Sequence, residues 1–174
     1  LIDKAQSEFP ERLEKTLFWR ACAYSLENKL EKAIQALKKG LEKGIWWNPQ
    51  TLTGDSDLKS LHKLEAFQTI VQKCEQILEK KNPEAKPLLF TYGNHTANTG
   101  IFSLHWRGSN VDDFAPYWLD TNTLKEYYFG FPQSSQVYGY NAYKWDHAEI
   151  ATKDILHTFE QFKGQSNAKN VILA

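Results

Sequence analysis

The sequence predicts a two-part α+β chain, with an α-helical module over residues 1–81 and strands alternating with helices over residues 87–174. Three observations predict it. Apolar residues recur at helical i, i+3 and i+4 spacing through the first part of the chain. The stretch Lys80-Lys-Asn-Pro-Glu-Ala-Lys-Pro87 is charged, holds two prolines and marks the boundary. Beyond it, short β-prone runs alternate with amphipathic stretches, the pattern of a parallel sheet in an α/β arrangement.

In the helical part, Glu11 to Leu26 carries Leu13, Leu17, Ala21, Tyr24 and Ser25 on one face. Asn28 interrupts it. Leu30 to Lys43 repeats the pattern with Leu30, Ala33, Ile34, Leu37 and Leu41, and Gly44 is the expected stop. The two helices make an αα-hairpin. Trp46-Trp47-Asn48-Pro49 reads as a turn whose two large aromatics need burial, and Thr53 to Asp57 as a loop rich in capping residues. Asp57 to Lys80 reads as one further helix, with Leu58, Leu61, Leu64, Phe67, Ile70, Val71, Cys74, Ile77 and Leu78 on a broad face. Trp46, Trp47 and Phe67 are expected to be buried; exposed, they would form an interaction patch.

After the boundary, Leu88 to Tyr92 and Ile101 to His105 read as two strands of a hairpin around the polar turn Gly93 to Gly100. Tyr127 to Phe131 is a further strand, Trp145 to Phe162 an amphipathic helix with Ile150, Ile155, Phe159 and Phe162 on one face, and Val171 to Ala174 a last strand. Asp112-Asp113 are expected to cap a following helix, and Ser134-Ser135 to satisfy turn backbone.

Composition narrows the function classes. Of 174 residues, 41% are hydrophobic, ample for a core, and 21 Lys+Arg balance 21 Asp+Glu. A formal charge of zero offers no electrostatic case for nucleic acid or an anionic membrane as partner. No apolar run approaches the roughly 20 residues of a membrane span, and the start does not read as a signal peptide. These features point to the cytoplasm. Cys22 and Cys74 fall on helical patterns and read as reduced core residues. His62, His95, His147 and His157 show no zinc-ligand spacing with Cys or carboxylates, so no metal site is expected. The chain contains no Met, so it is expected not to be an unprocessed translation product.

The stretch Gly100-Ile-Phe-Ser-Leu-His-Trp-Arg-Gly-Ser-Asn110 draws the most attention: an apolar strand breaks into a polar, glycine-containing turn before a helix start. It resembles the loop of α/β-hydrolase esterases that carry L-H-G-x-G-x-N there, and Pro132 to Asp146 resembles the loop after their next strand. Together the likeness covers Lys86 to Ala174 and implies residues 87–174 as the N-terminal half of a hydrolase sheet, with Phe114 to Asp120 as a short helix. Leu17, Ala21, Tyr24, Ala33, Leu37 and Gly40 resemble one tetratricopeptide unit, and Gly44-Ile-Trp-Trp-Asn-Pro49 through Asp55-Ser-Asp-Leu-Lys-Ser-Leu61 resembles the tail closing such modules.

The hydrolase resemblance implies a cytoplasmic serine esterase of the phospholipase/carboxylesterase type, without cofactor, acting on an acyl-ester small molecule. It implies an oxyanion loop at His105, Trp106, Arg107 and Gly108, with the Arg107 N–H as the donor. Trp106 stands where the family has glycine; it either keeps that loop function under strain or fills an acyl pocket or core gap. His105 is expected to orient the loop. Tyr143 and Trp145 either line a substrate pocket or anchor their loop to the sheet. No G-x-S-x-G occurs, and Gly164-Gln-Ser166 lacks the second glycine and precedes a strand. Val171 to Ala174 resembles the strand before the missing elbow, so the triad is expected beyond Ala174 and this chain is expected to be inactive. The alternative is a tetratricopeptide-like module binding a protein partner beside a degenerate hydrolase portion. A sheet ending at Val171 to Ala174 would expose an apolar edge, from which self-association is expected.

Overall fold

The computed structural model describes residues 1–174, which form two compact units, Leu1–Lys80 and Lys81–Ala174. The helical unit opens with α1 (Ile2–Glu8), followed by α2 (Leu13–Leu26) and α3 (Leu30–Glu42). Asn28 takes a left-handed φ of 57° between α2 and α3, a conformation that asparagine tolerates, and turns the chain back on itself. The predicted hairpin forms: Leu17 and Ala21 of α2 are buried with Ala33, Ile34, Leu37 and Gly40 of α3. Gly44 ends α3 with φ 76°, as expected.

Extended backbone then carries Trp46 and Trp47 to α4 (Pro49–Gly54), whose first turn Asn48 caps by accepting from Gln50 N (2.8 Å) and Thr51 N (3.3 Å). Trp46, Trp47 and Phe67 are all buried. Trp47 docks within its own unit: its Nε1–H donates to the Glu14 carbonyl (3.0 Å), and its ring occupies the space where Gly40 has no Cβ. No aromatic interaction patch exists at these positions. The single helix expected from Asp57 to Lys80 is instead a 3₁₀ segment, Ser56–Leu61, a break, and α5 (Glu65–Lys81). Leu58, Leu61 and Leu64 are spaced by three, and a 3₁₀ turn stacks i and i+3 on one side. Cys22 and Cys74 are free and buried. Burial pushes the Cys22 thiol up to about 12, with the Asp55 and Asp57 carboxylates adding to the effect.

The second unit holds β1 (Leu88–Gly93), β2 (Thr99–Phe102), α6 (Val111–Phe114), α7 (Thr123–Glu126), β3 (Tyr127–Gln133), β4 (Gln136–Gly139), β5 (Ala142–Lys144), α8 (Ala148–Gln165) and β6 (Asn170–Leu173). The main sheet runs β1-β3-β2-β6, with β3, β2 and β6 parallel and β1 antiparallel to β3. The expected β1–β2 hairpin is therefore wrong, because β3 lies between them, and the sheet is mixed instead of parallel. The reason lies in burial. Residues 128–133 of β3 are all buried, whereas β1 is only half-buried along its length. A strand buried on both faces takes the centre, and a half-buried one takes the edge.

Alternation along β3 builds two cores. Tyr128 and Gly130 face α8, where Phe162 is fully buried: its ring stacks on Tyr128 at 5.3 Å and fills the space left by Gly130 and Gly100. Phe129 and Phe131 face the opposite way and pack with Ile101, Val111, Phe114 and Ala115. β6 is the outer strand, with Ile172 and Leu173 exposed.

Three further expectations need correction. The helix at Phe114 to Asp120 is instead α6, Val111–Phe114, followed by a 3₁₀ turn at Ala115–Tyr117 where Pro116 intervenes. Its cap is Asn110, whose Oδ1 accepts from Asp113 N (2.8 Å), and Asp112-Asp113 fall in the first turn. The helix from Trp145 begins at Ala148, because residues 136–144 form the β4–β5 hairpin around Asn141 at φ 46°. No helix is long and apolar enough to cross a membrane.

Truncating Phe162 tests the two-glycine seat. Phe162→Ala is expected to cost about 3–5 kcal/mol, because rigid sheet backbone cannot collapse into the vacated space. Urea denaturation measures it, and a loss below about 1 kcal/mol would contradict the packing described.

Candidate functional site

The loop Ser103–Asn110 leaves the carboxyl end of β2, between parallel neighbours β3 and β6, and delivers the chain to α6. Ligands of α/β sheets bind at that end of the strands. Its two-way anchor is the backbone of β5: Gly108 N donates to Tyr143 O (2.8 Å) and Tyr143 N to Ser109 O (2.8 Å). Asn110 adds a bond from Nδ2 to Asn141 O at 2.7 Å.

His105 is buried and engaged on both ring nitrogens. Nδ1 lies 2.9 Å from the Trp106 carbonyl, which can only accept, so Nδ1 carries the proton. Nε2 then accepts from Ser134 N at 3.4 Å. Burial lowers the His105 pKa, and the bond to the Trp106 carbonyl offsets this in part. This neutral ring holds the loop in shape. The His105 carbonyl accepts from Trp145 Nε1 (3.0 Å), and the two rings lie 5.1 Å apart.

Trp106 is 50% exposed and stands edge-to-face on Phe114 (5.4 Å) and on the exposed Tyr117 (5.5 Å). Its φ is negative; the left-handed position of the loop is Gly108, at φ 75°. The backbone strain that tryptophan would suffer in place of glycine does not arise. The Trp106 ring fills no core gap either. The Arg107 side chain turns away to Asp146, with Nε 3.0 and 3.1 Å from the two carboxylate oxygens, and its guanidinium covers Tyr138 at 4.6 Å. That bond holds the Asp146 carboxyl below its ordinary range, helped by Lys144. The N–H groups of Gly108 and Ser109 are taken by backbone carbonyls, whereas those of Trp106 and Arg107 donate to no backbone carbonyl.

Tyr143 and Trp145 thus meet the loop through a backbone pairing and an indole N–H, and burial raises the Tyr143 pKa. Sequence reasoning missed the layer beneath. Ser134 Oγ accepts from Gln136 N (3.0 Å), as expected of a turn serine, but both N and Oγ of Ser135 donate to the buried Asp154 of α8 at 2.8 Å. Asp154 sits on the apolar face of an amphipathic helix, and that misplaced charge was the available signal.

Comparison with known proteins adds one finding at the other end of the chain. Residues 16–82 match the family described as A/B hydrolase-like, N-terminal domain. Most of the helical unit is thus similar to a domain of hydrolase-like proteins. A crystal structure of an uncharacterized protein from Bacillus cereus ATCC 10987 is similar at 24% identity over 92% of this chain and 52% of its own, with a TM-score of 0.42. The chain spans about half the length of that protein. No curated protein matches the sequence.

Two outcomes check the loop. Gly108→Ala should destabilise the chain by about 1–2 kcal/mol, the cost of a left-handed non-glycine residue, read by thermal or urea unfolding. Because the folded pKa of His105 is depressed, its neutral ring contributes fully above the ordinary histidine value of about 6.5, and that contribution is lost as pH falls through the lower folded value. Stability should therefore fall as pH drops below about 6.5, with a shallower slope in His105→Gln. Equal slopes in the two proteins would contradict this role.

Proposed function

We propose that these residues are the N-terminal portion of a serine hydrolase acting on acyl esters, in which the loop after β2 supplies one oxyanion donor. The observation that carries this reading is the Arg107 N–H. It lies in a loop at the carboxyl end of a parallel strand, uncommitted to any backbone carbonyl, between anchored neighbours at His105 and Gly108. Preorganised backbone donors of this kind stabilise the negative charge that develops on a carbonyl oxygen during acyl transfer. The hydrolase-like match of residues 16–82 supports the same class.

The nucleophilic serine and its base would be supplied by residues other than these, since no G-x-S-x-G is present. Trp106 and Tyr117 would flank the acyl group with exposed aromatic surface.

The 174-residue chain is accordingly expected to show no ester hydrolysis. A p-nitrophenyl acetate assay with and without a serine-directed fluorophosphonate tests it. Saturable turnover abolished by the inhibitor would overturn the assignment of the nucleophile. In a protein joining these residues to a G-x-S-x-G segment, Arg107→Pro removes the proposed N–H and should lower kcat by about 10²–10³. Arg107→Ala, which keeps the N–H, should leave kcat nearly unchanged. Equal kcat in the two variants would overturn the oxyanion role.

A further inference from the structure

We propose that Cys22, Asp55 and Asp57 form a binding site for a divalent metal ion of the zinc class, built wholly within the helical unit. The Cys22 sulfur and one oxygen from each carboxylate all lie within 4.8 Å of one another. Cys22 comes from α2, whereas Asp55 and Asp57 come from the turn between α4 and the 3₁₀ segment. A short contact between Ser25 Oγ and Ser60 Oγ (2.6 Å), one helical turn from Cys22, ties these two elements together and holds the donors in place.

The thiol is the second, independent observation. Cys22 is 8% exposed, its sulfur meets only its own backbone N–H as a hydrogen-bond partner, and it lies within 4.8 Å of an oxygen of each carboxylate. A buried donor normally finds a partner. Ion pairs of the helical unit lie elsewhere, as at Arg20–Asp3 and Lys29–Glu27. Two carboxylates therefore stand beside a buried thiol without a neutralising side chain.

A cation resolves the arrangement. Zinc binds thiolate sulfur at about 2.3 Å and carboxylate oxygen at about 2.0–2.2 Å, which places tetrahedral donors about 3.3–3.8 Å apart. Closing the present cluster onto an ion thus takes shifts of about an ångström. One sulfur with two oxygens suits zinc, cobalt or cadmium; calcium and magnesium prefer all-oxygen sets of six or more ligands. On binding, the sulfur–hydrogen bond is replaced by a sulfur–metal bond and the proton leaves to solvent. Water would complete the coordination. The ion would staple α2 to the 3₁₀ segment, and this proposal is independent of the hydrolase reading.

Cobalt(II) titration of the metal-free, reduced 174-residue chain tests it. One equivalent should produce a thiolate-to-cobalt charge-transfer band in the near ultraviolet, displaced by zinc, and zinc should raise the thermal midpoint. Cys22→Ser should abolish the band, Asp57→Asn should weaken binding at least about tenfold, and Cys74→Ser should change neither. Absence of the band in the wild-type chain would overturn the proposal, whether or not cobalt binds elsewhere. So would a band that survives in Cys22→Ser or disappears in Cys74→Ser. Should Cys22→Ser not fold by circular dichroism, the wild-type band and the Asp57→Asn affinity decide.

Discussion

The second unit depends on the seat of Phe162 against Gly130 and Gly100. A ring can lie directly on a sheet only where the strands present no side chain, and here two adjacent parallel strands do so at neighbouring positions. That close approach brings α8 down onto the sheet. With α8 in place, Asp154 reaches Ser135, and the turn after β3 stands where Ser134 can meet His105. The shape of the candidate loop therefore traces back to an apolar contact on the sheet face.

The loop itself avoids a strain that its sequence suggests. Tryptophan in place of a turn glycine reads as a source of strain. The molecule avoids it by placing the left-handed residue at Gly108, where the carbonyl of Tyr143 also takes the N–H. Trp106 is then free to present half its surface outward, resting edge-on against Phe114. Around it, polar side chains are committed: His105 through both nitrogens, Arg107 to Asp146, Asn110 to Asn141 and Asp113. What is left uncommitted is backbone, the N–H groups of Trp106 and Arg107.

The helical unit closes around its aromatics in the same economical way. Gly40 leaves the room that the Trp47 ring occupies, and the indole N–H is satisfied by a backbone carbonyl of α2. The tryptophans are thus core residues of a unit in which residues 16–82 match an A/B hydrolase-like N-terminal domain.

By itself the sequence determined that a helical region precedes a sheet, the α2–α3 hairpin, the burial of Trp46, Trp47 and Phe67, and the positions of β1, β3 and β6. These follow from periodicity and turn chemistry, which act between residues close in the chain. Tertiary structure alone decided that β3 lies between β1 and β2, because strands compete for the doubly covered centre and the most apolar one takes it. It also decided the β4–β5 hairpin, which gains its purpose from pairing with Ser109 some thirty residues earlier. The partners of the site, Trp145 with His105 and Asp154 with Ser135, and the meeting of Cys22 with Asp55 and Asp57, join residues that no local pattern connects. Such contacts exist only once the apolar cores have brought their elements together, so no spacing along the chain encodes them.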